Sequence, residues 1–311
     1  MNLFIIGNGF DLGHGLPTRY WNFRCYLEEH RGDFLRDFEE KYYLRGEGLQ
    51  TYLWNDLELN LANIDEDVLI EQMYQSTDLG LESGNIGIED TLNYYFADEF
   101  MYIEKLTTYL KEWIEVVNQE LDGMNRRTSL INESHQDIFM NFNYTTTLED
   151  IYNISRLNVL HIHGVIDSDN ELVLGHSNSS RINYFNEKYT DYQNRFDEQS
   201  APIYNVLTDY CSKTYKDVNN YIHKLFSLNF DAVERVIIIG HSLGDVDLPY
   251  FEEVKERVNG DTAWHVYYYD ENHIEMFKDK LTQIGIIEQY IEFIHCDRFY
   301  DLPLVEQTIE N

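Results

Sequence analysis

The sequence predicts an α/β protein built on a Rossmann-like, mostly parallel sheet, with a large α-helical insertion after the first strand. Short apolar runs that stop at glycine or polar residues indicate the strands, as at residues 235–240. Runs with consecutive apolar positions favour strands buried on both faces, which is typical of parallel sheets. Residues 18–136 have a helical pattern instead, and we expect them to be inserted between the first two strands.

Seven segments are predicted as strands from their apolar, β-branched or aromatic composition. They are Leu3–Ile6, Asp137–Phe142, Asn158–Ile162, Leu172–Leu174, Arg235–Ile239, Ala263–Tyr269 and Ile291–Ile294. We therefore expect two domains. Residues 1–17 together with 137–311 form the α/β core, and residues 18–136 form the helical insertion.

The clearest predicted helix is Thr91–Leu121, where apolar residues recur at steps of three and four. The other predicted helices are Arg19–His30, Gly32–Tyr43, Thr51–Ile64 and Glu66–Gln75, with a loop over Asp78–Ile88 and a further helical region over Asn183–Asn229. Core packing explains the apolar stripe of the long helix without a cofactor. The insertion is also the predicted contact surface for a protein partner.

Charge and cysteine content narrow the function classes. The 56 acidic and 23 basic residues give a net charge of -33, and Arg126–Arg127 is the one Arg–Arg pair, so nucleic acid is disfavoured as a partner. Cys25, Cys211 and Cys296 are scattered, so we expect neither a disulfide framework nor a structural zinc, and we expect a reducing cytoplasm. No apolar run approaches the roughly 18–20 residues of a membrane span, so no membrane is expected.

The segment after the first strand is the first candidate for a ligand-facing loop. Gly7 and Gly9 let the backbone approach a ligand closely. Leu12 stands where the usual dinucleotide motif has its third glycine, and Asp11 would repel a pyrophosphate on this loop. If a nucleotide binds, Asp11 is expected to face ribose, water or metal. A tight turn capped by Asp11 explains the same residues equally well.

Three further strand ends carry polar residues, and ligands of open parallel sheets bind beyond the carboxyl ends of the strands. Asn143 and Tyr144 follow the second strand, His161 and His163 share one face of the third, and residues 240–247 follow the strongest strand. A neutral histidine there can act as a general base. Each of these features also has a purely structural explanation. A threonine after Tyr144 can be a helix N-cap, the histidines can be hydrogen-bonded within the protein, and residues 240–247 can be a turn between a strand and a helix.

These motifs together resemble the bacteriophage abortive-infection AbiH family. The segments that carry the resemblance are residues 5–20 (IIGNGFDLGHGLPTRY), 141–149 (NFNYTTTLE), 161–164 (HIHG), 172–176 (LVLGH) and 237–251 (IIIGHSLGDVDLPYF). The family is implicated in halting phage propagation in the infected bacterial cell. The resemblance implies a role in phage defence without implying a particular reaction.

The motif order is also similar to that of the sirtuin-like NAD-binding fold. This resemblance implies NAD as ligand or substrate, with Asn143 placing NAD or water and His163 acting as base. Thr145 departs from the sirtuin pattern, which has Asp there, and Asp11 stands where a small polar residue is usual. Three scattered cysteines cannot build the four-cysteine zinc module of deacetylating sirtuins, so NAD cleavage or NAD sensing is the implied activity. Two catalytic residues and fourteen cofactor-binding residues are thus predicted, and no metal ligand is assigned. The cofactor-binding residues are Gly7, Asn8, Gly9, Phe10, Asp11, His14, Tyr144, Thr145, Gly175, His176, Gly240, His241, Ser242 and Asp245.

Three other functions compete with NAD cleavage. A serine hydrolase would use Ser242 in a Gly-x-Ser-x-Gly elbow with Asp270 and His295. A metal-dependent phosphoesterase or nuclease would use the carboxylates and imidazoles at the strand ends, which are Asp11, His14, His163, His176, His241 and Asp245. A non-catalytic sensor would bind a nucleotide without turnover. A homo-oligomer is compatible with each of these functions.

Overall fold

The computed structural model describes residues 1–68, 70–71, 88–133, 136–166, 172–197 and 200–304, with the backbone alone for 88–103. The chain divides into two compact units. One, the sheet unit, comprises residues 1–19, 111–173 and 217–311, and the other, the helical unit, comprises residues 20–110 and 174–216. These units differ from the predicted domains at three places: residues 18–19 and 111–136 belong to the sheet unit, and residues 174–216 to the helical unit.

The sheet unit is built on six parallel strands in the order β3-β2-β1-β4-β5-β6. The strands are β1 (Asn2–Ile6), β2 (Ile138–Asn141), β3 (Val159–His161), β4 (Arg235–Ile239), β5 (Ala263–Tyr268) and β6 (Ile291–His295). This is the strand order of doubly wound nucleotide-binding folds. The predicted α/β class with a parallel sheet is confirmed.

The order reverses at β1, which has β2 on one side and β4 on the other. Ile6 is in register with Asn141 of β2 and with Ile239 of β4, so the loops after all three strands leave the sheet at one level. Ligands of doubly wound sheets bind in the crevice beyond this switch point. The fold therefore places the predicted motifs after β1, β2 and β4 at the edge where a site is expected.

Burial on both faces of the sheet explains the continuous apolar runs of the central strands. Leu3 and Ile5 pack in the core on one face, and Phe4 stacks on Phe139 of β2 on the other, with ring centroids 5.0 Å apart. All of these side chains are almost fully buried. The alternation of strand side chains thus fills two apolar layers with one short segment.

Six of the seven predicted strands are present, with ends that coincide with the prediction or differ from it by one residue. The prediction for Leu172–Leu174 is wrong, because this segment is not assigned to any strand. Its Val173 amide donates to the carbonyl of His163, but residues 172–175 form no strand ladder. A run of three apolar residues is too short to distinguish a strand from a buried loop.

Helices lie in the predicted helical regions that the structure describes, and others that were not predicted include those after β1 and β5. They are α1 (Asn8–Gly13), α2 (Tyr20–His30), α3 (Gly32–Glu40), α4 (Glu47–Leu49), α5 (Leu57–Asn60), α6 (Ile88–Gln119), α7 (Thr147–Tyr152), α8 (Ser179–Asn194), α9 (Ser200–Lys213), α10 (Asn219–Ile222), α11 (Leu248–Arg257) and α12 (Ile274–Gln283). A π-helical turn covers Gln50–Trp54. The expected loop after β1 is in fact the short helix α1, which begins one residue after Gly7.

Two other predictions fall partly or wholly outside the described residues. Within the helix predicted over Glu66–Gln75, residues 66–68 and 70–71 are helical and the remainder is not described. The loop predicted over Asp78–Ile88 lies outside the described residues except for Ile88, which begins α6. Among the described helices, none combines the length and the apolar character that crossing a membrane would require.

Candidate functional site

The loops after β1 and β4 pack directly on each other. The amide of Gly7 donates to the carbonyl of Ile239 at 3.0 Å, and that of Gly9 donates to the carbonyl of Gly240 at 2.8 Å. A Cβ on Gly7 would lie 2.6 Å from the Gly240 oxygen, and one on Gly240, whose φ is +67°, would lie 2.2 Å from the amide nitrogen of Phe10. Contact between the two loops therefore accounts for these glycines without a bound phosphate.

Asp11 is buried beneath the same loop and faces protein. Its two carboxylate oxygens accept hydrogen bonds from the hydroxyls of Thr145 at 2.7 Å and Thr147 at 2.8 Å. Burial raises the pKa of Asp11 to about 6, and the hydrogen bonds from Thr145, Thr147 and Asn143 oppose that rise. Asp11 was expected to face ribose, water or metal. Instead it joins α1 to the segment after β2.

Asn143 also ties the segment after β2 to the loop after β1. Its side-chain amide donates to the carbonyl of Gly7 at 3.1 Å, and its backbone amide donates to the Asn141 side chain at 3.0 Å. Asn143 is 6% exposed. The next residue, Tyr144, donates from its hydroxyl to the carbonyl of Val173 at 2.9 Å. Both side chains thus donate hydrogen bonds to backbone carbonyls of the protein.

His14 is held neutral between two partners. Its Nδ1 lies 2.8 Å from the carbonyl of Phe10, and its Nε2 lies 2.8 Å from the hydroxyl of Tyr152. A carbonyl can only accept, so Nδ1 carries the proton and Nε2 accepts from the tyrosine. Burial lowers the pKa of His14 to about 4. With both ring nitrogens engaged, His14 connects α1 to α7 and offers no atom to a ligand.

Two histidines from distant strands meet at one carboxylate. His163 follows β3 and His241 follows β4, and their Nε2 atoms each lie 3.5 Å from a different oxygen of Asp247. The amide of Leu243 donates to Nδ1 of His241 at 2.9 Å, which places the His241 proton on the nitrogen that faces Asp247. The three side chains are 4% to 15% exposed.

Asp247 occupies the N-cap position of α11, where an aspartate usually accepts a hydrogen bond from the backbone of the helix. Here its side chain accepts no such bond. The carboxylate faces the two imidazoles instead. Because the contact with two histidines replaces the usual helix cap, we assign Asp247 to the candidate site rather than to helix formation.

Phe142 explains how the two histidines can meet. Two strands separate β3 from β4, which corresponds to roughly 14 Å at ordinary strand spacing. Phe142 follows β2, between them, and its ring packs edge-on against His163 at 5.4 Å and His241 at 4.5 Å. The loops after β3 and β4 thus converge over one aromatic side chain.

The loop after β4 does not form the nucleophile elbow of a serine hydrolase. The chain runs through residues 240–247 before α11 begins, and the positive φ of 53° is found at Leu243 rather than at Ser242. Asp270 accepts hydrogen bonds from Asn272, and His295 pairs with Asp297, so within the described residues neither is hydrogen-bonded to Ser242. Ser242 is exposed to solvent.

The predicted residue Asp245 also has a protein partner. Nζ of Lys280 lies 2.9 Å from the Asp245 carboxylate and donates to the carbonyl of Leu243 at 2.8 Å. Lys280 belongs to α12, so this lysine fastens the loop after β4 to that helix. The arrangement restrains the loop that carries His241.

Gly175 and His176 belong to the helical unit rather than to the sheet unit. A Cβ on Gly175 would lie 2.5 Å from the carbonyl of Thr214. Nδ1 of His176 accepts from the amide of Asn178, and Nε2 lies 3.1 Å from the carbonyl of Cys211, while burial lowers the pKa of His176 to about 4. These contacts give both predicted residues a structural role within the helical unit.

The six proposed metal ligands are not assembled around one point. Their partners, given above, are threonines for Asp11, backbone and tyrosine for His14, and Lys280 for Asp245. A metal site needs several ligands close together. In the described part of the chain, His295, Cys296 and Asp297 form the one group of three or more possible ligands whose ligand atoms all lie within 4.8 Å of one another. None of these was among the six proposed ligands.

Sequence reasoning missed Asp247 and Phe142. Both lie inside motifs that it singled out. Phe142 directly precedes Asn143, and Asp247 lies two residues after Asp245. Only the structure shows that Asp247 is the N-cap residue of α11 and lacks the usual capping hydrogen bond. Among the predicted residues after β1 and β4, the side chains of Asn8, Ser242 and Asp245 are exposed, and Asp245 pairs with Lys280.

No curated protein and no solved structure was found to match the chain. A family model described as bacteriophage abortive infection AbiH matches residues 3–269. The matched region includes all the residues of the candidate site, which follow β1, β2, β3 and β4. The match spans more than half of the sequence and supports a function in abortive infection. The chain belongs to the bacteriophage abortive infection AbiH family.

Proposed function

We propose that this AbiH protein acts in abortive infection as a hydrolase of NAD or a related nucleotide, with His163 as general base and Asp247 as the residue that orients it. The observation that supports the proposal is the Asp247 carboxylate, 3.5 Å from the Nε2 atoms of both His163 and His241. The group lies at the carboxyl edge of a doubly wound sheet, where such folds bind nucleotides.

Hydrolysis of the bond between the ribose and nicotinamide requires from the protein a general base and a group that stabilises the charge on that base. Water forms a bond to the anomeric carbon of the ribose while the bond to the nicotinamide nitrogen breaks, and the bonding pair neutralises the positive charge of the ring. The proton released by water passes to Nδ1 of His163, whose Nε2 proton points to Asp247. Asp247 stabilises the imidazolium that results. The separation of 3.5 Å is long for a hydrogen bond, and such contacts commonly shorten when the substrate binds.

The nucleotide cannot lie on the glycines as in the usual dinucleotide fold, because Gly240 occupies that space. We place it toward solvent, over the exposed side chains of Asn8 and Ser242. Asn143 then acts as a positioning residue, since its amide holds the Gly7 carbonyl and fixes the loop after β1. This assigns Asn143 a role that differs from direct contact with NAD.

The test is to follow nicotinamide release from NAD by the purified full chain and by His163→Ala. Loss of the base should lower turnover by about 10²- to 10⁴-fold. His273→Ala is the matched control, because His273 is exposed at the start of α12 and should leave turnover unchanged. Asp247→Asn should lower turnover less than His163→Ala, and should also shift the pH profile.

Undiminished nicotinamide release by His163→Ala would contradict the assignment of the base. Tight binding of NAD with no release would exclude the hydrolase and favour the non-catalytic sensor. Labelling of Ser242 by a fluorophosphonate would favour the serine hydrolase instead.

A further inference from the structure

The helical unit contains a cavity of its own, of about 470 Å³, between α2, α3 and the turn that leads to α4. This volume is within the range of small-molecule sites. Its lining residues come from one continuous stretch, Arg24–Leu49, so the cavity depends on local structure alone. None of the residues predicted to bind a ligand lies in this stretch.

One part of the cavity lining is a largely buried hydrogen-bond network around Glu39. Arg24 donates to both oxygens of Glu39, from Nε at 2.8 Å and from Nη2 at 3.3 Å. The indole of Trp54 donates to the same carboxylate at 2.7 Å. The Arg24 and Glu39 side chains are only 13% and 12% exposed. This network joins α2 to α3, and Arg24 also pairs with the exposed Glu28 at 3.0 Å.

Tyr43, on the rim of the cavity, has an exposed aromatic ring and a strained backbone conformation. Tyr43 has a φ of 52°, in the left-handed region that bulky residues avoid, and it is 70% exposed. Gly46, on the same rim, also has a positive φ of 57°. Residues held in this region are enriched at ligand-binding segments. Packing does not require the ring here, because most of its surface faces solvent.

Two arginines complete the rim. Arg45 forms no ion pair with any described residue, and Arg36 pairs with Asp33 and Asp37, both exposed neighbours on its own helix. Surface pairs of that kind are weak and readily exchanged. The cavity lining carries three arginines and three glutamates, so it is neutral in a chain with a net charge of -33, and the guanidinium groups of Arg45 and Arg36 can contact an anion.

We propose that this cavity binds a nucleoside phosphate, with the base stacked on Tyr43 and the phosphate held by Arg45 and Arg36. The exposed carboxylate of Glu40, also on the cavity wall, can accept hydrogen bonds from ribose hydroxyls. The aromatic ring suits the base of such a ligand, the guanidinium groups suit its phosphate, and the carboxylate suits its ribose. The site is separate from the one proposed for hydrolysis.

The test is titration calorimetry of the full chain with AMP, adenosine and inorganic phosphate. AMP should bind, and adenosine and phosphate should each bind at least about 10-fold more weakly, because each lacks one of the two contacts. Tyr43→Gly should weaken AMP binding by about 10-fold, the value of one stacked base. The same variant should not lower the melting temperature, since glycine accepts the left-handed backbone.

Phe196→Gly is the matched control. Phe196 is 90% exposed, has a φ of 55° and is not part of the cavity lining, so its replacement relieves the same backbone strain and should leave AMP binding unchanged. Tyr43 is not part of the hydrolytic site, so weaker AMP binding by Tyr43→Gly places the bound AMP in this cavity. Absence of AMP binding to the unaltered chain would overturn the proposal. Equal AMP affinity of Tyr43→Gly and Phe196→Gly, or equal affinity of the unaltered chain for phosphate and AMP, would do the same.

Discussion

The buried carboxylate of Asp11 should make the stability of the protein depend on pH in a way that Asp11→Asn removes. Burial raises the pKa of Asp11 from 3.8 to about 6, against the hydrogen bonds that lower it. In the interval between these two values the folded protein holds a proton that the unfolded chain has released. Stability from this group is therefore fully present below the unfolded pKa and is lost as pH rises through the folded pKa.

The size of the effect follows from the two pKa values. Between about pH 5 and about pH 7.5, protonation of Asp11 contributes roughly 1.4 kcal/mol that disappears as pH rises. Asparagine has nearly the same shape and does not titrate, so Asp11→Asn should lack this term. The other carboxylates titrate alike in both proteins, so they cancel in the difference.

The assay is urea unfolding of both proteins at several pH values from about 5 upward, since the isoelectric point near 4.5 favours association at lower pH. The free energy of unfolding of the unaltered protein minus that of Asp11→Asn should fall by roughly 1.4 kcal/mol across the range. A difference that stays constant with pH would refute the argument, because it would mean that Asp11 has the same pKa in both states.

Two further substitutions test the packing of the site. Gly240→Ala should lower the free energy of unfolding by more than about 2 kcal/mol, because the new Cβ meets backbone at 2.2 Å and φ is +67°. Gly260→Ala, with no heavy atom within 4 Å, should change it by less than about 0.5 kcal/mol, and equal effects would contradict the packing argument. Tyr152→Phe should cost about 1–3 kcal/mol in urea unfolding, because Nε2 of buried His14 loses its hydrogen-bond donor. A cost near zero would show that the imidazole is satisfied in another way.

The fold was predictable from the sequence because its strands are marked by composition alone. Arg235–Ile239 and Leu3–Ile6 are apolar at nearly every position, and burial on both faces of the sheet requires this. Leu172–Leu174 has the same composition over three residues and forms no strand, so length limits what composition can decide. The strand order was not predictable, because it depends on contacts between segments far apart in the chain.

The candidate site was predictable only as a set of strand ends. Glycines at 7, 9 and 240 indicate close approach, but the pattern does not say whether a phosphate or another loop approaches. His14 and His163 look equivalent in the sequence, and only their partners show that His14 is fully hydrogen-bonded. The position of Asp247 depends on a loop with Leu243 in the left-handed region, which no local pattern in that segment indicates.

The central position of β1 has a consequence for synthesis of the chain. The ribosome makes Asn2–Ile6 first, yet one neighbouring strand of β1 is complete only when residue 239 has been added. At about 5–20 residues per second, the apolar strand waits roughly 10 to 50 s for that neighbour. Products that stop before β4 lack His241 and Asp247 and leave one edge of β1 open. Until β4 is made, the open edge of β1 can pair with other strands, and the site lacks two of its three residues, His241 and Asp247.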